Sequence, residues 1–122
     1  MESISFFVHG PPVPCARPRV TVRGTFLPKR VREYENMVGL CAKAAAAKHR
    51  WVVVPKASYS IRLTIYRAQL RGDWDNFAKA LTDPLKGVIW YDDSQVKSAH
   101  VSVELDRENP RAHIAVFREV IE

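Results

Sequence analysis

Cysteine, glycine and long apolar runs are all scarce in this chain of 122 residues, and each shortage removes a class of function. Cys15 and Cys41 form no CxxC, and His9, His49, His100 and His113 are scattered rather than set at zinc-site spacing. This argues against a structural zinc site or a disulfide framework, and free thiols suit a reducing compartment. The glycines, at 10, 24, 39, 72 and 87, make neither GxGxxG nor a Walker A loop, so no nucleotide cofactor of those types is expected. No GxSxG supports a serine hydrolase. No apolar stretch approaches the roughly 18 residues of a membrane span. Met1 to Gly10 also lacks the basic start and apolar core of a secretory signal, so a soluble, cytoplasmic protein with no membrane partner is expected.

Positive charge is what the chain has in excess. Lys plus Arg number 19 against 13 for Asp plus Glu, a net +6, and the surplus is unevenly placed. Residues 1–67 hold 12 basic and 3 acidic side chains, whereas residues 68–96 hold 3 and 5. A basic half joined to a short acidic centre suggests a polyanion gripped by one part and acted on by another. The plainer alternative is a solvated cationic surface. The length and a hydrophobic share of 47% predict one domain over residues 1–122 with a real core.

Along the chain, Ile4, Phe6 and Val8 alternate with polar neighbours before Gly10-Pro11-Pro12, a short strand stopped by residues that cannot continue it. Residues 10–28 interleave five prolines with Arg17, Arg19 and Arg23, as expected of an extended arm or loose hairpin with exposed guanidinium groups. Val31, Tyr34, Val38, Cys41 and Ala45 recur at threes and fours, predicting an amphipathic helix from about Lys29 to His49. Tyr59, Ile61, Leu63 and Ile65 predict a half-buried strand. A second helix is expected from about Asn76 to Lys86, with Phe77, Ala80, Leu81 and Leu85 inward and Pro84 bending it or ending it near Thr82. Two final alternating runs, at Val101–Leu105 and Ile114–Phe117, are expected to pair as a hairpin. The order β-α-β-α-β-β predicts an α/β (α+β) domain with a mixed sheet packed against two main helices.

The chemistry concentrates in Arg71-Gly72-Asp73-Trp74-Asp75-Asn76-Phe77-Ala78-Lys79, then Asp83, then Asp92-Asp93-Ser94-Gln95-Val96. Residues two apart in an extended segment project to one side, so Asp73 and Asp75 can face one point, and Lys79 lies a helical turn beyond Asp75. Asp92 and Asp93 follow the apolar run Val88–Tyr91 in a turn able to fold back toward them. Converging carboxylates repel unless a cation lies among them, and hard oxygen donors suit Mg²⁺, with Mn²⁺ a plausible substitute. Each piece has a plainer reading: Asp75 as a helix cap, Lys79 as its salt-bridge partner, Asp92 and Asp93 as turn residues, Trp74 and Phe77 as packing groups.

These residues resemble the RusA family of Holliday junction resolvases. The shared pattern is Gly72-Asp73-x-Asp75-Asn76-x-x-Lys79, then Asp83 with Leu85 and Gly87-Val88, then Asp92-Asp93-x-Gln95-Val96, together with Gly10-Pro11-Pro12-Val13-Pro14, Arg17-Pro18-Arg19, Pro28-Lys29 and Tyr34-Glu35. The resemblance implies a homodimeric, Mg²⁺-dependent endonuclease, bacterial or phage-encoded, that resolves four-way DNA junctions by paired nicks. It implies Asp73, Asp75 and Asp93 as metal-binding carboxylates, Asp92 as a lesser candidate, and Lys79 as the catalytic lysine. Two departures from the family pattern, Cys15-Ala16 in the arm and Pro84 in the second helix, bear on the arm and the helix rather than on the acids. Arg17, Arg19, Arg23, Lys29, Arg30 and Arg71 are the expected phosphate contacts. A non-catalytic DNA-binding module, or a nuclease for other branched nucleic acids, remains open.

Overall fold

A computed structural model of the chain describes residues 2–15, 19–21 and 24–120, without the side chains of 19–21, 25 and 26. In chain order its elements are β1 (Glu2–His9), β2 (Arg19–Thr21), β3 (Gly24–Phe26), α1 (Lys29–His49), β4 (Ala57–Arg67), α2 (Trp74–Thr82), β5 (Val96–Leu105) and β6 (Arg111–Val120). Single 3₁₀ turns cover Asp83–Leu85 and Asp93–Gln95.

Two-residue alternation builds the sheet. Ile4, Phe6 and Val8 of β1, Ile61, Leu63 and Ile65 of β4, and Ala112, Ile114 and Val116 of β6 are buried. Registry aligns them in rows: Phe6 lies opposite Ile114, Ile114 opposite Leu63, and Leu63 opposite Val101 of β5. Every second residue therefore adds to one apolar face, which α1 and α2 cover. From α1 come Val31, Tyr34, Val38 and Ala42; from α2 come Phe77, Ala80 and Leu81.

The strand order is β1-β6-β4-β5, with β4 parallel to β5 and antiparallel to β6. The expected hairpin of the last two strands is not formed, because β4 stands between them. Adjacency in sequence favours a hairpin, but the apolar row of β4 needs an apolar strand on each flank to leave water, and that requirement wins. The connection from β5 to β6 passes the end of β4, where the Asp106 amide donates to the Arg67 carbonyl at 2.8 Å. The Asp106 carboxylate accepts from Arg111 at 2.9 Å, which closes the turn.

The second helix starts earlier than expected and ends at Thr82, where Pro84 was expected to end it. Pro84 lacks the N–H to extend the ladder, so α2 stops at Thr82 and tightens into the 3₁₀ turn that buries Leu85. The arm is anchored at its start, where Val13 and Cys15 are buried and the Cys15 amide donates to the Asn76 carbonyl at 2.9 Å. β2 and β3 pair as a short antiparallel ladder. At the other end of the sheet the buried Arg118 bonds Glu2 at 3.0 Å and lies 3.8 Å over the Trp51 ring, tying β6 to β1 and to the segment after α1.

Leu63, fully buried on the central strand, gives the most direct test of this core. Leu63→Ala is expected to cost about 2–5 kcal/mol, read as a lower urea midpoint at unchanged slope.

Candidate active site

The first acidic pair stands where β4 gives way to α2. Gly72 adopts φ +101°, and a Cβ there would meet the Phe77 ring at 3.0 Å, so glycine alone fits the turn. Arg67, at the end of β4, lies 4.5 Å over that same ring and donates to the Arg71 carbonyl, folding the loop onto the strand end. Asp73 occupies the N-cap position of α2 yet makes no side-chain capping bond. Asp75, in the first turn, accepts from the Asn76 amide at 3.0 Å. Both carboxylates are exposed, at the helix end whose dipole favours negative charge. Trp74 between them is 60% exposed; the expected packing role belongs to Phe77 alone.

One turn on, Lys79 pairs with Asp83 at 2.9 Å rather than with Asp75. The hydrogen bond to Asp83 holds its pKa above the ordinary lysine value, with smaller contributions from Cys15 and Glu35. Burial raises both the Glu35 carboxyl and the Cys15 thiol, which are hydrogen-bonded to each other.

The second acidic pair is carried by the turn before β5. Buried Trp90 donates from Nε1 to Asp93 Oδ1 at 2.8 Å and so orients that carboxylate. Asp92 caps the 3₁₀ turn by accepting from the Ser94 amide, and its pKa is lowered chiefly by its bonds to Ser94. The buried Gln95 carboxamide holds the whole turn: its oxygen accepts from the Tyr91 and Asp92 amides, both at 2.9 Å. Its nitrogen donates to the carbonyls of Val54, Pro55 and Ala57, ahead of and at the start of β4. A cavity of about 220 Å³ lies here, lined by Ile61, Thr82, Asp83, Trp90, Asp93 and Val96.

The two acidic pairs lie at opposite ends of α2. Because β4 and β5 run parallel, the connection must carry the chain from the Arg67 end of the pair back to the Tyr59 end. Asp73 and Asp75 lie at its beginning, and Asp83 and Asp93 share the cavity at its end. At 1.5 Å per residue, Asp75 and Asp83 are about 12 Å apart along the axis. Among the described residues no three His, Cys, Asp or Glu side chains come close enough to hold one metal ion. The donors suit Mg²⁺ in kind, but their arrangement within one chain does not fit a shared ion, whose ligands lie about 2.1 Å from it.

Of the expected phosphate contacts, Lys29 and Arg30 are exposed in the first turn of α1, with Lys29 3.7 Å from Glu33. Arg71 is exposed and donates to Gln69 at 2.7 Å. Arg17, Arg23 and the side chain of Arg19 lie outside the described residues. The orienting role of Trp90 and the anchoring role of Gln95 were not foreseen; a Trp three residues before an Asp, and a Gln three after one, are the signals that could have exposed them.

A family model described as endodeoxyribonuclease RusA matches residues 9–117. The chain is also 27% identical to an uncharacterized protein, YqaN, of Bacillus subtilis strain 168, over 98% of this chain and 99% of the relative.

Gln95→Ala is expected to orphan several buried or partly buried amide and carbonyl groups at once, lowering stability by about 2–4 kcal/mol. Amide hydrogen exchange at Tyr91 and Asp92 should accelerate more than at Leu63; equal protection at all three positions would contradict the anchoring role.

Proposed function

This chain belongs to the family of the endodeoxyribonuclease RusA, and on that premise we propose that it is a Mg²⁺-dependent, homodimeric endonuclease of the cytoplasm. Its substrate is the four-way DNA junction, resolved by paired symmetric nicks in recombination and repair. The observation that carries this reading is Asp73, a residue at a cap position whose carboxylate does not cap, exposed beside Asp75 at the positive end of a helix in a basic chain. A carboxylate withheld from the bond its position offers is available for another partner. The oxygen donors Asp73, Asp75 and Asp93, with Asp92 beside them, are hard ligands suited to Mg²⁺ or Mn²⁺.

The chain's other residues support handling of a phosphodiester. The Asp83 pairing that raises the Lys79 pKa keeps its ammonium charged at neutral pH, so Lys79 serves as a positive group beside the scissile phosphate rather than as a base. Lys29 and Arg30 stand in the first turn of α1, the end where the helix dipole disfavours cations. That placement costs local stability and is offset when a phosphate backbone lies across them. Arg71 leads into the acidic pair, and Arg17, Arg19 and Arg23 add to the positive charge of the arm sequence. A two-fold dimer presents two sites to two symmetry-related strands.

The absence of a three-carboxylate group among the described residues favours a second reading, a DNA-binding module without catalysis. A labelled synthetic junction separates the two. With Mg²⁺, the protein is expected to place symmetric nicks in the four-way junction and to leave linear duplex uncut, while flaps and forks serve as comparison substrates. Asp75→Asn should abolish cleavage and leave junction binding equal or tighter, because a repulsive charge is removed. Intact strands on a denaturing gel with wild-type protein would sink the catalytic reading. Separately, Arg30→Ala should make the slope of log affinity against log salt shallower by about one; an unchanged slope removes Arg30 from the interface.

A further inference from the structure

The face of the sheet turned away from α1 and α2 has a composition of its own. Alternation sends Phe7 and His9 of β1, Arg62 and Tyr66 of β4, and Arg111 and His113 of β6 to this side, opposite in parity to the buried rows. With His100 of β5, three of the chain's four histidines lie here. Most other positions on this face are serine or threonine, and none is Val, Ile, Leu or Met. It therefore lacks the aliphatic side chains with which a sheet holds a further layer of structure.

Registry groups the planar side chains. Phe7 lies opposite His113, with ring centroids 4.5 Å apart, and stacks on His9 at 5.8 Å. The Arg111 guanidinium lies 3.8 Å over the Tyr66 ring and 5.9 Å from that of Phe7, steered there by its bond to Asp106. Rings and guanidinium form one patch across β1, β6 and β4, with Phe7 44% exposed in it. Burial, with a smaller effect of Arg111, holds the His113 pKa below the ordinary histidine value, so its ring is neutral at neutral pH. Arg62 is exposed between Ala115 and His100 and makes no ion pair among the described residues. The acids of this face, Glu104 and Glu119, lie at its margins, on the edge strand and near the end of β6.

Planar groups offer stacking to bases of any sequence, and a cation without a partner suits a phosphate. We propose that this open face binds a segment of single-stranded DNA, its bases stacked on Phe7, His113 and the Arg111–Tyr66 pair and a phosphate held by Arg62. A duplex keeps its bases stacked on one another and has no ring faces to give, so the surface selects unpaired strands. The aromatic patch lies at the Arg67 end of β4, from which the chain runs on to Asp73 and Asp75, so a strand unpaired at a branch point is seated at the same end of the sheet as the first acidic pair. The choice of DNA rests on the function proposed above, whereas the seat rests on the side chains of this face.

Fluorescence anisotropy of a labelled oligodeoxythymidine of about 12 nucleotides, with EDTA present so that nothing is cut, tests the surface in the whole protein. Phe7→Leu is expected to weaken binding about ten-fold and Phe7→Trp to retain it, because only the latter restores a ring. Arg62→Ala should make the salt slope shallower by roughly 0.7, and none of the three should change affinity for a blunt duplex. With wild-type protein, 4-thiothymidine in the oligonucleotide should cross-link to Phe7, Tyr66 or His113. Cross-links confined to Lys29, Arg30 or the arm overturn the proposal, as do unchanged binding by Phe7→Leu and tighter binding of an oligoribonucleotide of equal length. A changed oligomeric state of Arg62→Ala by light scattering, with oligonucleotide binding intact, makes the face a contact between copies and overturns it too. Junction cutting is read separately. A protein that binds the oligonucleotide here but cuts no junction sinks the nuclease reading alone; one that cuts junctions but binds no oligonucleotide sinks this surface alone.

Discussion

The Gln95 carboxamide is the constraint on which the placement of the acidic residues rests. It satisfies two amides of the turn that carries Asp92 and Asp93 and three carbonyls around the start of β4. Those five backbone groups belong to segments about forty residues apart in sequence, and only Ala57 among them lies within a strand. Buried polar backbone must be paired, and a carboxamide offers both a donor and an acceptor in one rigid plane. A carboxylate could not donate and an apolar side chain could do neither, so the turn is tied to the sheet by a group with no simple substitute. Trp90 depends on that tie: only with the turn seated can its buried ring donate to Asp93.

The topology turns this local constraint into a global one. Because β5 lies parallel to β4, α2 has to span the sheet, and the acids before and after it are held apart by its length. The charge distribution then has a structural reading. The acidic centre of the sequence is in fact two ends of one helix, while the basic surplus lies on α1, β4 and the arm. Lys79 pairs toward the Asp83 end although an acid four residues before a lysine is the better-ordered helical pair, and Glu35 of α1 adds to the field that favours its charge.

Much of the architecture was legible in alternation and periodicity, because burial on one face imposes both. The rows Ile4-Phe6-Val8 and Tyr59-Ile61-Leu63-Ile65 lie inward as read, and α1 occupies Lys29–His49. What could not be read was pairing. Whether β6 meets β5 or β4 depends on which flank of the central strand needs cover, a property of the assembled sheet. Side-chain partners were hidden for the same reason. Asp75 and Asp83 are equally spaced from Lys79, so spacing alone could not choose between them. Trp74 misled because aromatic residues generally pack, whereas its place at the first residue of α2 turns it to solvent. The identities of the acidic residues were plain in the sequence, but their separation follows from strand direction, which composition and spacing do not encode.

The two edges of the sheet bear on how copies of the chain can meet. β5 is a ten-residue edge strand, long enough to recruit a stranger, but it carries Lys97, His100 and Glu104 along its exposed length. β1 begins with Glu2, already engaged by Arg118, and ends against Gly10 and the prolines that follow it. Both edges are thus poor templates for strand addition, the route by which sheet proteins grow into open-ended aggregates. A protein with a net positive charge and guarded edges can be held at high local concentration on DNA without polymerising there.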